Sequence, residues 1–213
     1  MQLNQVINGD CLKVMKEFPN NSVDLIVTDP PYGDNASYGR MKKEVQGNGN
    51  PLISCLALVE CYRVLRKNKS LYMFTSWRHL PFLEHFVKRY TKFNIRHIIV
   101  WKKKNFGLGY SFRNQFELIM VLEKGKPSYK LNNFSDVQES EHIVHSKKTH
   151  PHQKPLSIIE RILRHSSKEG DIVLDPFCGS GSVCIACQNG CRNWIGIEKA
   201  DYYVKMARER IGR

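Results

Sequence analysis

Asp29-Pro30-Pro31-Tyr32 stands directly behind the apolar run Val23-Asp24-Leu25-Ile26-Val27-Thr28. An aromatic amino group is a poor nucleophile, because its lone pair is delocalised into the ring. Two acceptors aimed at its two N–H bonds, the Asp29 carboxylate and the Pro30 carbonyl, would draw the nitrogen towards a tetrahedral shape and free the lone pair. Pro30 and Pro31 fix the backbone, so the acceptors are in place before reaction begins, which is where electrostatic preorganisation acts. Tyr32 offers a ring face on which a base taken out of its duplex can stack. The bland reading of the same residues is a strand end followed by a diproline turn.

A second constellation, Asp175-Pro176-Phe177-Cys178-Gly179-Ser180-Gly181, follows Ile172-Val173-Leu174. The glycines let backbone approach a ligand closely and lead into a helix starting near Ser182. Glu198 follows at about the spacing from which an acidic residue reaches ribose hydroxyls in nucleotide-binding folds. No Lys-Ser or Lys-Thr follows the glycines, which disfavours a phosphate loop, and Cys184 stands where an NAD-type loop carries its last glycine. A cofactor with a ribose but no phosphate fits better, and S-adenosylmethionine is the candidate. The two constellations together point to methylation of an exocyclic amine of a nucleobase.

The elements that must position these residues alternate between strand-like and helix-like runs, which argues for an α/β fold with a mainly parallel sheet. Seven strands are predicted: Gln5–Asn8, Asp24–Thr28, Leu71–Phe74, Ile95–Trp101, Glu117–Leu122, Ile172–Leu174 and Trp194–Ile197. Between them, Leu52, Leu56 and Val59 share one helix face, as do Leu156, Ile159 and Leu163 behind Pro155. Val204, Ala207 and Ile211 form the last apolar stripe, with Asp201 as the expected N-cap. The strands ending near residue 101 and beginning near 117 are joined by a loop and not a helix, so that pair is predicted to be antiparallel and at one edge of the sheet. Asp10, Asp29, Asp175 and Glu198 each sit where a strand runs out, and the ligand crevice of an open parallel sheet lies at the carboxyl ends of its strands. A lone Asp at such a place is commonly a helix N-cap; four of them, two within rare motifs, suggest a site.

The chain of 213 residues carries 33 basic and 20 acidic residues, a formal charge of +13, and a hydrophobic fraction of 41%. Such an excess attracts polyanions, nucleic acid above all, unless it is simply a solvated surface. One domain spanning 1–213 is expected. No run approaches the roughly 18 apolar residues of a membrane span and no signal-peptide pattern opens the chain, so a cytoplasmic protein is expected. Cys184, Cys187 and Cys191 share a spacing that suits one helix face, and no second pair completes a zinc site, so no metal is expected. Lys102, Lys103 and Lys104, followed by Phe106, Tyr110 and Arg113, are candidate phosphate contacts interleaved with aromatics. Lys42–Lys43 and Lys147–Lys148 lie in two polar loop-like segments, 33–51 and 125–151, that are candidates for DNA contact and target recognition.

At this point the chain resembles a known family, the amino-directed DNA methyltransferases. Their hallmark is an Asp/Asn/Ser-Pro-Pro-aromatic tetrapeptide paired with a Phe-x-Gly-x-Gly loop, here Asp29–Tyr32 and Phe177–Gly181. With the tetrapeptide preceding the loop, it resembles the circularly permuted beta class. His152-Gln153-Lys154-Pro155, Asn8-Gly9-Asp10-Cys11-Leu12, Trp101-Lys102-Lys103-Lys104-Asn105 and Glu117 are similar to further motifs of that class. The resemblance spans essentially the whole chain. It implies a Rossmann-like S-adenosylmethionine-dependent methyltransferase fold with helices on both faces. By it, Asp10 with the Cys11–Leu12 backbone would contact the cofactor's adenine, and Glu198 its ribose. Asp175, Pro176, Phe177, Cys178 and Gly179-Ser180-Gly181 would surround the sulfonium, while Gln153, Lys154 and Pro155 would lie near the methionine carboxylate. One departure stands out: the variable target-recognition region before the His-Gln-Lys-Pro segment is short, so recognition would be shared with 33–51 or with a second subunit of a homodimer.

The reading with most support is a site-specific methyltransferase acting on adenine N6 in double-stranded DNA by base flipping, as in restriction-modification. Asp in the first motif position leans to adenine, while Ser there leans to cytosine. Cytosine N4 methylation, RNA methylation and an inactive DNA-binding subunit are the alternatives, the last disfavoured by the intact Asp29 and glycines.

Overall fold

Val23–Thr28 is apolar at four of six positions and is buried along its whole length, the signature of a strand covered on both faces. In the computed structural model, which describes residues 1–32, 52–107, 111–131, 133–140 and 154–212, this strand (β2) lies at the centre of an eight-stranded sheet. The other strands are β1 (Gln5–Asn8), β3 (Leu65–Thr75), β4 (Asn94–Lys103), β5 (Phe116–Lys124), β6 (Val137–Ser140), β7 (Ile172–Asp175) and β8 (Asn193–Glu198). Their spatial order is β1-β8-β7-β2-β3-β5-β4-β6. The chain leaves β2 towards β3 on one side and returns as β7 on the other, so the sheet reverses its winding between β2 and β7. That is the switch point at which open α/β sheets form their ligand crevice.

Alternation along the strands explains the two layers of helices. Leu25, Val27, Tyr72, Phe74, Ile119 and Val121 face one side and pack with Ile159 and Ile162 of α4 (Leu156–Ser166), Cys184 and Cys187 of α5 (Ser182–Asn189) and Ala207 of α6 (Asp201–Ile211). Ile26, Leu71, Met73, Met120 and Leu122 face the other side, against Met15 of α1 (Cys11–Lys16), Leu58 of α2 (Leu52–Val64) and Leu83 of α3 (Leu80–Tyr90). Successive side chains of a strand point to opposite faces, so each strand feeds both cores. No helix among the described residues is long and apolar enough to cross a membrane.

Several expectations need correction. The sheet has eight strands and not seven: β6 carries one apolar residue, Val137, and pairs with β4 through backbone register Val100↔Val137, so no side-chain pattern announced it. It also falls inside the predicted loop 125–151. The antiparallel strand is β5, and it is interior, pairing with both β3 and β4; the edge beyond β4 is taken by β6. The link between β4 and β5, residues 104–115, carries no helix among its described residues, and β5 runs back antiparallel to β4. Leu52, Leu56 and Val59 do share a face of α2, but it points away from the sheet, at 46%, 42% and 43% exposure, while Cys55, Leu58 and Cys61 are buried. Finally, Ala200 and not Asp201 is the N-cap of α6, and Cys191 lies beyond α5, exposed, apart from buried Cys184 and Cys187.

Candidate functional site

Because β1, β8, β7 and β2 are consecutive parallel neighbours, their carboxyl ends bring Asp10, Glu198, Asp175 and Asp29 into one row. Each of the four carboxylates is held by its surroundings in a different way.

On the side of the expected cofactor, Asp10 caps α1, its Oδ1 accepting from the Leu12 amide at 3.0 Å, with Lys199 at 3.4 Å from Oδ2. Cys11 is buried behind it, and burial together with the Asp10 charge pushes its thiol up to about 12. Glu198 ties the glycine loop to β8: its Oε2 accepts from the Gly179 amide at 3.0 Å and its Oε1 from Ala200 at 2.9 Å. Pro176 and Cys178 are buried beneath the loop, and the Cys178 amide donates to Ile197 at 2.9 Å. Arg210 of α6 holds Ser180 through its hydroxyl at 2.7 Å and its carbonyl. The two glycines differ in purpose. Gly181, at φ +81°, is crowded as well as strained for any other residue, since a Cβ would stand 3.2 Å from Ala207 and Ile211 of α6. Gly179, at φ +49°, would point a Cβ into open space. That opening, beside the Glu198 carboxylate, is a cradle of the kind a nucleoside-bearing cofactor requires, and the residues present fit it.

Asp175 is buried at the end of β7, where its Oδ1 accepts from the Thr28 hydroxyl at 2.9 Å and the Phe177 amide at 3.1 Å. Burial raises its carboxyl from an ordinary 3.8 to about 7, the two hydrogen bonds oppose that rise, and the nearby charges of Asp29 and Glu198 add to it. A raised carboxyl means that the folded chain holds a proton the unfolded chain has lost. Between about pH 4 and pH 7 stability therefore falls as pH rises, by up to about 1.4 kcal/mol per pH unit. Asp175→Asn keeps an acceptor for Thr28 and Phe177 and removes the titration. Urea unfolding of both proteins from pH 5 to pH 8 should show the variant gaining on the parent as pH rises; parallel profiles would refute this account.

On the other side of Asp175, Asp29 opens the Asp-Pro-Pro-Tyr segment. The Tyr32 hydroxyl donates back to Asp29 Oδ1, and the Lys154 ammonium stands 2.9 Å from Oδ2. Lys154 also reaches Glu117 Oε2 at 2.8 Å, and Glu117 Oε1 meets Lys103 at 2.6 Å. Burial would raise the Glu117 carboxyl, but Lys154 and Lys103 hold it down at about 2. Burial would lower Lys154, yet Asp29 and Glu117 push it above the ordinary lysine range. The structure thus places Lys154 beside Asp29 at the β2 end of the row, immediately before Pro155, the N-cap of α4. Two further residues come to this corner without a motif to announce them. Thr28 fixes Asp175, and buried His79 lies with its ring 6.4 Å from Tyr32, stacked on Phe82 at 5.9 Å. Their only signal is position: Thr28 is the last residue of β2, and His79 follows the end of β3 by four residues.

Beyond β3 the edge is basic. Lys102 pairs with Glu139 of β6 at 2.8 Å and Lys103 with Glu117, so both lysines have carboxylate partners. Lys104 is exposed, with no ion pair among the described residues, and Arg113 lies over the Phe106 ring at 5.5 Å while donating to the Gly107 carbonyl. Trp77, half exposed after β3, carries the Arg78 guanidinium 4.6 Å from its ring centre. Lys42, Lys43, Tyr110, Lys147, Lys148, His152 and Gln153 lie outside the described residues. Among the described residues no group of three His, Cys, Asp or Glu could hold a metal ion.

A family model for N6/N4 DNA methylases matches residues 23–209. Among curated proteins, the type II methyltransferase M.HpaI of Haemophilus parainfluenzae is 32% identical to this chain, over 97% of the chain and 74% of that protein. The DNA adenine methyltransferase YhdJ of Escherichia coli (strain K12) is 30% identical, over 97% and 82%. Among solved structures, M1.HpyAVI in complex with SAM superposes with a TM-score of 0.79 at 25% identity, covering 98% of this chain and 99% of that one. The cytosine-N4-specific PvuII DNA methyltransferase superposes with a TM-score of 0.80 at 16% identity, over 96% and 85%, a likeness of fold alone.

Proposed function

Because the chain belongs to the N6/N4 DNA methylase family, we propose that it methylates the N6 amine of adenine in duplex DNA, on a base turned out of the helix. The observation that carries this reading is the Asp29 carboxylate, held by Lys154 and Tyr32 at the switch point between β2 and β7. S-Adenosylmethionine is the cofactor, and when bound it supplies an electrophilic methyl on a sulfonium. The opening over Gly179, with Glu198, Asp10 and Phe177 around it, is where these residues would hold it. Asp29 and the Pro30 carbonyl would take the two N–H bonds of the amine and direct its lone pair across the crevice. Attack of the amine on that methyl would put positive charge on its nitrogen, and the surplus proton would pass by way of the Asp29 carboxylate to solvent. A carboxylate already hydrogen-bonded to that nitrogen stabilises the charge as it develops, with no reorganisation needed. Two features support adenine over cytosine: Asp in the first motif position, and the name of the relative YhdJ.

The test is chemical. DNA treated with the protein and S-adenosylmethionine, then digested to nucleosides, should yield N6-methyldeoxyadenosine. N4-methyldeoxycytidine would move the chain to the other half of its family and leave the acceptor geometry intact.

The basic edge supports a duplex held by its phosphates. Lys104→Ala and Arg113→Ala should each weaken binding alike for cognate and unrelated duplexes, and each should lower the log-log salt slope by about 0.9. Lys102→Ala should do less, because Glu139 already neutralises that lysine. A loss confined to the cognate sequence would instead make this segment a base-reading element.

A further inference from the structure

Lys154 has its side chain only 11% exposed, set beneath three aromatic rings, with Phe74, Trp101 and Tyr32 centred 5.2, 5.9 and 5.7 Å from the ammonium. An ammonium in such a place must be paired. A lysine has three N–H donors, and three acceptors surround this one: Asp29 Oδ2 at 2.9 Å, Glu117 Oε2 at 2.8 Å and the Tyr32 hydroxyl at 3.4 Å. None remains for a cofactor carboxylate. Lys103, Glu117, Lys154 and Asp29 form a row of alternating sign that runs from the basic edge to the amine acceptor, and its charges sum to zero.

We propose that Lys154 and Glu117 are positioning residues for the Asp29 carboxylate and not part of the cofactor site, a proposal that rests on the reading of Asp29 as the amine acceptor. Lys154 anchors one oxygen of Asp29 while Tyr32 anchors the other, which fixes the carboxylate plane. Glu117 is what keeps that anchor from becoming an inhibitor. An ammonium bonded to Asp29 alone would compete with the target amine for the same oxygen. Shared with Glu117 at nearly equal distance, it holds Asp29 in orientation and leaves it able to accept an N–H. Glu117 can do this because β5 is antiparallel: its first residues, and not its last, lie at the carboxyl edge of the sheet.

The row predicts an unusual pattern of variants. Glu117→Gln leaves one excess positive charge beside Asp29, and Lys154→Met leaves one excess negative charge. The double variant is balanced again. With DNA and S-adenosylmethionine saturating, each single variant should slow single-turnover methyl transfer by about 100-fold, the scale of a misplaced charge at the reacting centre. The double variant should return to within about tenfold of the parent, the non-additivity expected of residues in one network. Calorimetry of S-adenosylmethionine with Lys154→Met, without DNA, should give a Kd within about threefold of the parent's, since a remote side chain contributes nothing to that binding energy. A large loss of cofactor affinity in that variant would assign Lys154 to the cofactor and overturn the proposal. So would a double variant whose loss is the product of the single losses, or a Glu117→Gln variant with full turnover. If a single variant fails to fold, the balanced double variant decides by itself, and an inactive or unfolded double overturns the proposal. A parent chain that methylates no DNA is a different failure, of the function reading, while the calorimetric arm still reports on Lys154.

Discussion

Asp29→Ala is expected to slow methyl transfer by about two to three orders of magnitude, the scale for losing one preorganised hydrogen-bonding group at a reacting centre. The loss should lie in the rate at saturation and not in binding. Asp29 is separated from the glycine loop by Asp175, so the variant should bind S-adenosylmethionine in calorimetry as the parent does. Folding should survive as well, because Lys154 keeps Glu117 as a partner at 2.8 Å, although the row then carries one excess positive charge. A tritiated-methyl assay on duplex DNA, read beside the calorimetry, checks both halves. Near-normal methylation would remove Asp29 from the chemistry altogether.

Gly179→Leu should have an effect as large, on the other substrate. A Cβ there points into open space, with nothing beyond its chain neighbours within 4 Å, so the fold itself offers the substitution room. The positive φ costs about 1–2 kcal/mol in a residue with a Cβ, a modest shift in thermal unfolding. The leucine would instead fill the opening beside Glu198, and S-adenosylmethionine affinity should fall by at least about 100-fold. Gly181→Leu is the control, because its Cβ meets Ala207 and Ile211; it should cost stability first. If Gly179→Leu binds the cofactor normally, the cofactor lies elsewhere.

These outcomes depend on features that were legible in the sequence to very different degrees. The acceptor tetrapeptide and the glycine loop were plain, because a diproline and paired glycines constrain backbone wherever they occur, and each followed an apolar run that could only be a strand. The row of four carboxylates followed from placing those strands in one parallel sheet. Partner choice among charged side chains was not legible. Lys154 is adjacent to Pro155 in sequence and reads as part of a loop, yet its partners Asp29 and Glu117 come from β2 and β5, and nothing in local pattern reports so long-range a meeting. The lysine run at 102–104 misled in the same way: consecutive residues of a strand end point to different sides, so Lys102 and Lys103 found different carboxylates. Strand β6 was invisible because an edge strand joined mainly by backbone needs no apolar alternation. The stripe of α2 was legible as a shared face, but periodicity does not show which face is covered; Cys55, Cys61 and the small Ser54 and Ala57 lie inward.

The pairing of β2 with β7 has a consequence for the life of the chain before it is complete. Strands β2 to β6 can assemble as soon as they leave the ribosome, but the far side of β2 is then an open edge. Its partner begins at Ile172, and the Asp24 carboxylate waits for the Ile172 amide, which it accepts at 3.0 Å in the finished molecule. Until then the nascent protein carries an apolar strand with unsatisfied backbone groups, the kind of surface on which partly made chains stick to one another. Strands β7 and β8, made after β2 to β6, both complete the crevice and close that edge. Shelter from aggregation and catalytic competence therefore arrive together during translation, and a chain interrupted before Ile172 would have neither.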